Sequence, residues 1–110
     1  MPLSTHVLDI ARGVPATELK VSLYRIASGS AAFVAASVTD ADGRIAAPFG
    51  GELDAGIYEL LFAAGAYFTH HGISSFLTDV PVRFRIGEVS ERCHVPLLLS
   101  PFGYSTYRGT

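Results

Sequence analysis

The sequence predicts an all-β protein, an antiparallel β-sandwich of about seven to eight short strands with one short helix. Stretches in which apolar and polar residues alternate recur along the chain, as in strands with one buried face. Glycine, proline and aspartate separate these stretches at short intervals, as turns require. Only Ala63 to Gly72 has instead the composition of a short helix that stops at a glycine.

The first strand is predicted over Leu3 to Ile10. Because side chains alternate across a strand, one face carries a histidine in mid-strand. That face holds Ser4, His6, Leu8 and Ile10. Arg12 to Pro15 breaks the strand, and Leu19 to Ile26 then alternates with its leucine and valine residues inward.

The middle of the chain predicts further strands separated by turns. Ala31 to Thr39 is a strand, and Asp40 to Gly43 is a turn in which the aspartates cap local amides. Arg44 follows this turn directly, which restrains its position. Strands are also predicted over Ile57 to Phe62 and over Val80 to Ile86.

The chain finishes with a predicted hairpin. His94 to Ser100 is an apolar strand, Pro101 and Gly103 make the reversal, and Ser105 to Thr110 is the return strand. The core face is expected to hold Val95, Leu97 and Leu99. If the return strand pairs normally, the face with His94 also carries Ser105, Tyr107 and Gly109.

The composition of the chain limits the classes of protein to which it can belong. A chain of 110 residues predicts one domain over residues 1–110, and 49% hydrophobic with 16% charged residues excludes disorder. This apolar balance predicts that other subunits cover part of the surface. The net charge of −2, without a basic cluster, gives no basis for binding nucleic acid. The sequence has no predicted membrane span, signal segment or peroxisomal ending, so the expected location is the cytoplasm.

Standard catalytic and metal-binding motifs are absent from the sequence. The single Cys93 cannot form an internal disulfide, and as a strand neighbour it points away from His94. The adjacent His70 and His71 are a poor metal pair on a helix. What remains is a scattered set of basic and hydroxyl groups: His6, Arg44, His94, Tyr107, Arg108 and Thr110.

These residue types suit hydrolysis of a small, planar, electron-rich molecule. A neutral imidazole can take a proton from water, and a guanidinium can stabilise an oxyanion. A tyrosine supplies a flat wall with a hydroxyl. A histidine on a strand, such as His6, or an arginine beside a turn, such as Arg44, is more often an ordinary surface residue. The spacing of these residues in the sequence does not by itself predict that they meet in one site.

The stretch from His94 to Gly109 closely resembles the carboxyl-terminal signature of the transthyretin-like family, in its enzymatic branch, the 5-hydroxyisourate hydrolases. Thr110 stands where serine is usual. Other segments resemble that family as well, so the similarity spans essentially the whole chain. They are Ser4 to Asp9, Gly13 to Ala16, Asp42 to Arg44, Tyr58 to Leu60 and Val82 to Phe84.

The resemblance implies a transthyretin-like (prealbumin-like) sandwich that assembles as a homotetramer with active sites at the dimer–dimer interface. It implies hydrolysis of 5-hydroxyisourate, in urate degradation, to 2-oxo-4-hydroxy-4-carboxy-5-ureidoimidazoline, without metal or organic cofactor. His6 and His94 would hold and activate water, and Arg44 would grip the substrate and its developing charge. Which histidine is the base stays open. The implied further residues are Tyr107 as a substrate contact, Arg108 and Gly109 in the substrate pocket, and Thr110 among the catalytic groups.

Two departures and two alternatives accompany this interpretation. The family often has His-Tyr-His where this chain has Arg92-Cys93-His94, which leaves any supporting role at Arg92 in doubt. Thr110 keeps a hydroxyl and adds a methyl group. A non-catalytic transthyretin-like carrier of small aromatic ligands would share the fold but lack these histidines and the arginine. A purely structural β-sandwich module would leave the polar, aromatic ending unexplained.

Overall fold

The computed structural model describes residues 2–88 and 92–110, which form two packed β-sheets and one helix. The predicted all-β sandwich with one short helix is confirmed. The strands are β1 (Leu3–Asp9), β2 (Val14–Pro15), β3 (Lys20–Ala27), β4 (Ser30–Val38), β5 (Arg44–Ile45), β6 (Gly56–Phe62), β7 (Val80–Ile86), β8 (Cys93–Ser100) and β9 (Gly103–Thr106), and the helix is α1 (Ala64–His70).

The two sheets differ in the direction of one strand pair. The first has the order β2-β1-β8-β9, with β5 also paired to β1, and the second has the order β4-β3-β6-β7. All pairs are antiparallel except β1 and β8, which run parallel from Leu3 beside Cys93 to Asp9 beside Leu99. The predicted antiparallel sandwich is confirmed as mostly antiparallel, and this pair is the exception. A parallel pair needs a long crossover, and here the whole second sheet supplies it.

The core lies between the sheets and follows the predicted alternation. On β3, Val21 and Leu23 are fully buried, and on β8, Leu97 and Leu99 are fully buried. The inward faces of β6 and β7 close the layer, with Tyr58, Leu60, Phe62, Val80, Val82 and Ile86. The alternation of apolar and polar residues predicted which strand residues are buried, because each sheet has only one face against the core.

Helix α1 connects the last two strands of the second sheet. Its carboxyl end closes through Gly72, which has φ of 68°, while the Ile73 amide donates to the Phe68 carbonyl at 2.9 Å. This is the glycine-terminated helix end that the sequence predicts. Within the described residues, no helix is long and apolar enough to cross a membrane.

The short strands β2 and β5 were not predicted, because two residues carry no periodic signal. Both pair with the edge of β1 that β8 does not occupy. Gly43 permits this docking of β5: its φ is 75°, and its carbonyl accepts from the Val7 amide at 2.7 Å. A side chain at Gly43 would overlap the Val7 carbonyl oxygen. The turn therefore sets Arg44 directly beside His6.

Strand β9 ends at Thr106, so the predicted return strand over Ser105 to Thr110 is wrong in its bounds. The pairing resumes only as an isolated bridge between His94 and Gly109, in the same register. Between them stands Pro96, which has no amide hydrogen to donate to the neighbouring strand. The Thr106 hydroxyl donates instead to the Pro96 carbonyl at 2.6 Å.

A buried carboxylate joins β1 to helix α1. Asp9 is 0% exposed and accepts from the Tyr67 hydroxyl at 2.8 Å and from Arg12 Nε at 3.0 Å. Burial raises the pKa of Asp9, but the hydrogen bonds from Arg12 and Tyr67 outweigh it and hold the pKa below its usual value. The carboxylate therefore stays charged and satisfied inside the protein.

Tyr67→Phe is expected to destabilise the fold by about 1–3 kcal/mol, because Asp9 loses one donor while remaining buried. The free energy of unfolding is measured by urea denaturation at neutral pH. Tyr24→Phe, on β3, is the matched control and should change it by about 0.5 kcal/mol or less. Equal effects of the two substitutions would contradict the anchoring role of Tyr67.

Candidate active site

The outward face of the first sheet gathers basic side chains at one end. His6, on β1, is the partner of Arg44 on one side and of Pro96 on the other. Two residues before His6 on the same strand, Ser4 is the partner of His94. Because partnered residues project to the same side of a sheet, Arg44, His6 and His94 share this face. The strand pairing therefore places on one face three residues that are far apart in the sequence.

Each imidazole has a hydrogen-bond partner at one ring nitrogen. His6 Nε2 lies 2.9 Å from the Asp42 carbonyl oxygen, and His94 Nδ1 lies 2.8 Å from Ser4 Oγ. A carbonyl can only accept, so His6 carries a hydrogen on Nε2, and its neutral form has the lone pair on Nδ1. The strand β1 and the turn before β5 therefore fix both rings.

The electrostatic surroundings favour the neutral form of His94. Partial burial lowers its pKa, the nearby Arg44 and His6 lower it further, and a hydrogen bond with the Ser4 backbone opposes them. An imidazole with a lowered pKa is uncharged at neutral pH and can accept a proton. A neutral His94 ring can thus serve as a proton acceptor on this face.

Arg44 has a fixed backbone and an exposed side chain. Asp40 Oδ1 accepts from the Arg44 amide and from the Asp42 amide, at 2.9 Å each, as the capped turn predicts. None of the ion pairs found within residues 2–88 and 92–110 involves Arg44. Its guanidinium can therefore meet a carbonyl or anionic group of a ligand without breaking an existing ion pair.

The tail, residues 107–110, reaches this face through Gly109. The Gly109 amide donates to the His94 carbonyl at 2.7 Å, and a side chain at Gly109 would overlap the His94 ring at Cδ2. Tyr107 is 58% exposed and, in the part of the chain that the structure describes, makes no hydrogen bond or ring contact. Arg108 and Thr110 border an open cleft beside Gly109 and Arg92.

The structure therefore brings together some of the predicted site residues and leaves others beside them. His6, Arg44, His94 and Gly109 meet on one face, whereas Tyr107, Arg108 and Thr110 lie along the adjoining tail. Ser4 was not among the predicted site residues. Its position two residues before His6 placed it on the same face, but nothing local showed that His94 would be its partner.

The other residues considered as catalytic or metal-binding groups do not lie on this face. Cys93 is buried on the other side of β8 from His94, as predicted, and burial raises the pKa of its thiol. His70 and His71 are exposed at the end of α1, with ring centroids 5.3 Å apart. Across residues 2–88 and 92–110, no three His, Cys, Asp or Glu residues are grouped to hold a metal ion.

Two packed sheets in this strand order, with a polar site on the outer face of one of them, define a transthyretin-like β-sandwich. Residues 3–109 match the family model described as HIUase/Transthyretin family, and the chain belongs to this family. The resemblance found in the sequence motifs is thus confirmed.

Named relatives separate the two branches of the family. 5-Hydroxyisourate hydrolase 2 of Rhizobium meliloti (strain 1021) is 46% identical, over 98% of this chain and 95% of the relative. The solved 5-hydroxyisourate hydrolase of Klebsiella pneumoniae is 42% identical with a TM-score of 0.88, over 100% of both chains. Sea bream transthyretin in complex with thyroxine has a TM-score of 0.92 at 32% identity, over 100% of this chain and 96% of the other. The fold suits both branches, and the sequence is nearer to the hydrolases, in agreement with the predicted enzyme.

The pKa of His94 is expected to lie below the ordinary value of about 6.5, and Arg44→Gln should raise it, because the substitution removes a nearby positive charge. The measurement is an NMR titration of the His94 ring. Arg85→Gln, on β7 of the other sheet, is the control and should leave the titration unchanged. A His94 pKa that does not respond to Arg44→Gln would contradict the electrostatic contact.

Gly109→Ala is expected to displace the His94 ring, because the new methyl group would occupy the space of Cδ2. Gly103→Ala is a matched control on the same hairpin, since an added methyl group there meets nothing within 4 Å. Ring resonances of His94 report the displacement, and circular dichroism reports the fold. Unchanged His94 resonances in Gly109→Ala would show that the contact is absent in solution.

Proposed function

We propose that this protein hydrolyses 5-hydroxyisourate. The observation that carries the proposal is the register that sets Arg44, His6 and His94 side by side on one sheet face. The relatives named as 5-hydroxyisourate hydrolases support it, because their identity of 42–46% extends over nearly the whole chain. The combination of neutral imidazole and guanidinium suits hydrolysis of a planar, electron-rich ring.

His94 is the general base in this proposal. Its imidazole takes a proton from water, and the oxygen attacks the carbonyl of the six-membered ring. The carbon–nitrogen bond then breaks, the proton passes to the leaving nitrogen, and 2-oxo-4-hydroxy-4-carboxy-5-ureidoimidazoline forms. Positioned base catalysis contributes roughly 10²–10⁴-fold to a rate. The reaction adds only water, so it requires no oxidant, metal or organic cofactor.

Arg44 and His6 act on the substrate from the next row of the sheet. The exposed guanidinium of Arg44 stabilises the oxyanion that develops on the attacked carbonyl. His6 holds the water and relays a proton, with its Nε2 hydrogen engaged by the Asp42 carbonyl. These roles place the substrate over β1, between Arg44 and His94.

The tail and a second subunit complete the pocket in this proposal. Tyr107 contacts the substrate, and Arg108, Gly109 and Thr110 form the floor. The protein is proposed to be a homotetramer whose sites lie at the dimer–dimer interface. Half-buried Leu8 and Leu98 support this assembly, because they extend the same face beyond the polar cluster as an apolar surface.

Adding the protein to freshly generated 5-hydroxyisourate is expected to accelerate the decay of its ultraviolet absorbance. His94→Ala and Arg44→Ala should each lower the rate by about 10²-fold or more, because they remove the base and the oxyanion partner. His70→Ala and Arg85→Ala are matched controls at exposed positions away from this face, and both should keep the wild-type rate.

Four outcomes would count against the proposal. A wild-type protein that leaves the decay unchanged would reject the hydrolase function, and binding of an aromatic ligand without turnover would favour a carrier. Full activity in His94→Ala or Arg44→Ala would reject the role of that residue. Sedimentation of the wild type as a monomer at assay concentration, with full activity, would reject the shared site.

A further inference from the structure

We propose that the Ser4 hydroxyl is a positioning group that fixes the His94 ring so that Nε2 is the nitrogen that acts on water. This inference rests on the proposed hydrolase function and extends it to a residue outside the basic cluster. Ser4 does not touch the reacting atoms in this assignment. It acts through His94.

The backbone pairing brings the two side chains together. Ser4 and His94 are partners in the parallel pair of β1 and β8, so both project from the outward face at the same level. Both residues are half-buried, and Ser4 Oγ lies 2.8 Å from His94 Nδ1. The contact joins the two central strands of the sheet, which have little freedom to separate.

The opposite edge of the ring is also closed. Gly109 lies so close to Cδ2 that its own side chain could not be accommodated. Nδ1 and Cδ2 are the two ring atoms bonded to Cγ, and both therefore have neighbours. A flip of the ring would set a carbon against the Ser4 hydroxyl and a nitrogen against Gly109, with loss of the hydrogen bond. The ring consequently presents the edge of Cε1 and Nε2.

The position of the hydrogen follows from the role of the base. A base needs a lone pair on the nitrogen that faces water, and that nitrogen is Nε2. The hydrogen of the neutral ring then lies on Nδ1, where the Ser4 hydroxyl, which can accept as well as donate, receives it. The partial burial that lowers the pKa of His94 keeps the ring in this neutral form.

The two histidines of the site then have opposite tautomers. His6 donates from Nε2 to the Asp42 carbonyl and keeps its lone pair on Nδ1. His94 donates from Nδ1 towards Ser4 and keeps its lone pair on Nε2. In this assignment the Asp42 carbonyl and the Ser4 hydroxyl give two chemically identical side chains different roles.

The test compares Ser4→Ala, which removes the hydroxyl, with Ser4→Thr, which keeps it, and with Ser22→Ala as a serine control on β3 of the other sheet. Ser4→Ala is expected to lower kcat about 10-fold to 100-fold with little change in KM, the range of one hydrogen bond to an ionisable group. Ser4→Thr and Ser22→Ala should stay near the wild-type kcat. Nitrogen-15 spectra of the His94 ring should show hydrogen on Nδ1 in the wild type and Ser4→Thr, and a mixture of tautomers in Ser4→Ala.

The two readouts separate this inference from the function on which it rests. A wild-type protein without hydrolase activity rejects the function, while the spectra still decide whether Ser4 sets the tautomer. An active wild type that carries the His94 hydrogen on Nε2 overturns the inference, and so does Ser4→Ala with wild-type kcat and an unchanged tautomer. If Ser4→Ala does not fold, the wild-type and Ser4→Thr spectra decide the question alone.

Discussion

The parallel pairing of β1 with β8 is the interaction on which both the core and the candidate site depend. On the inner side it packs Val7 beside Leu97, and the Thr5 hydroxyl donates to the Val95 carbonyl at 2.6 Å. On the outer side it sets Ser4 beside His94. A slip by one residue would exchange the two faces of β1, burying the histidine side and exposing the core side. Packing of the core therefore fixes the register of the site.

The same strand is restrained at several further points, which suits a site that must be ordered before its ligand arrives. The buried Asp9 connects the end of β1 to Tyr67 of the helix. The turn at Gly43 docks on the middle of β1 through the Val7 amide. A restrained β1 holds His6 and the Ser4 hydroxyl in set directions, as the proposed reaction would require.

The likeness both to hydrolases and to a transthyretin in complex with thyroxine shows that this sandwich does not by itself select an activity. In the proposed function, the choice lies in a few side chains on the outer face of the first sheet. Arg44 and the two histidines make that face basic at one end, whereas Leu8 and Leu98 make it apolar at the other. One continuous face of the sheet therefore has a polar end and an apolar end.

The sequence by itself determined the class of fold, the parity of the strands, and the family, because alternation and turn chemistry are local and the ending motif is long. It placed His6 in the middle of a strand, Val95 inward and the capped turn before Arg44. Only the tertiary structure decided that β1 pairs with β8 in parallel, that Gly109 closes on the His94 ring, and that Pro96 interrupts the last strand pair. These features join segments far apart in the chain, and packing of the two sheets sets them, not any local preference of the residues.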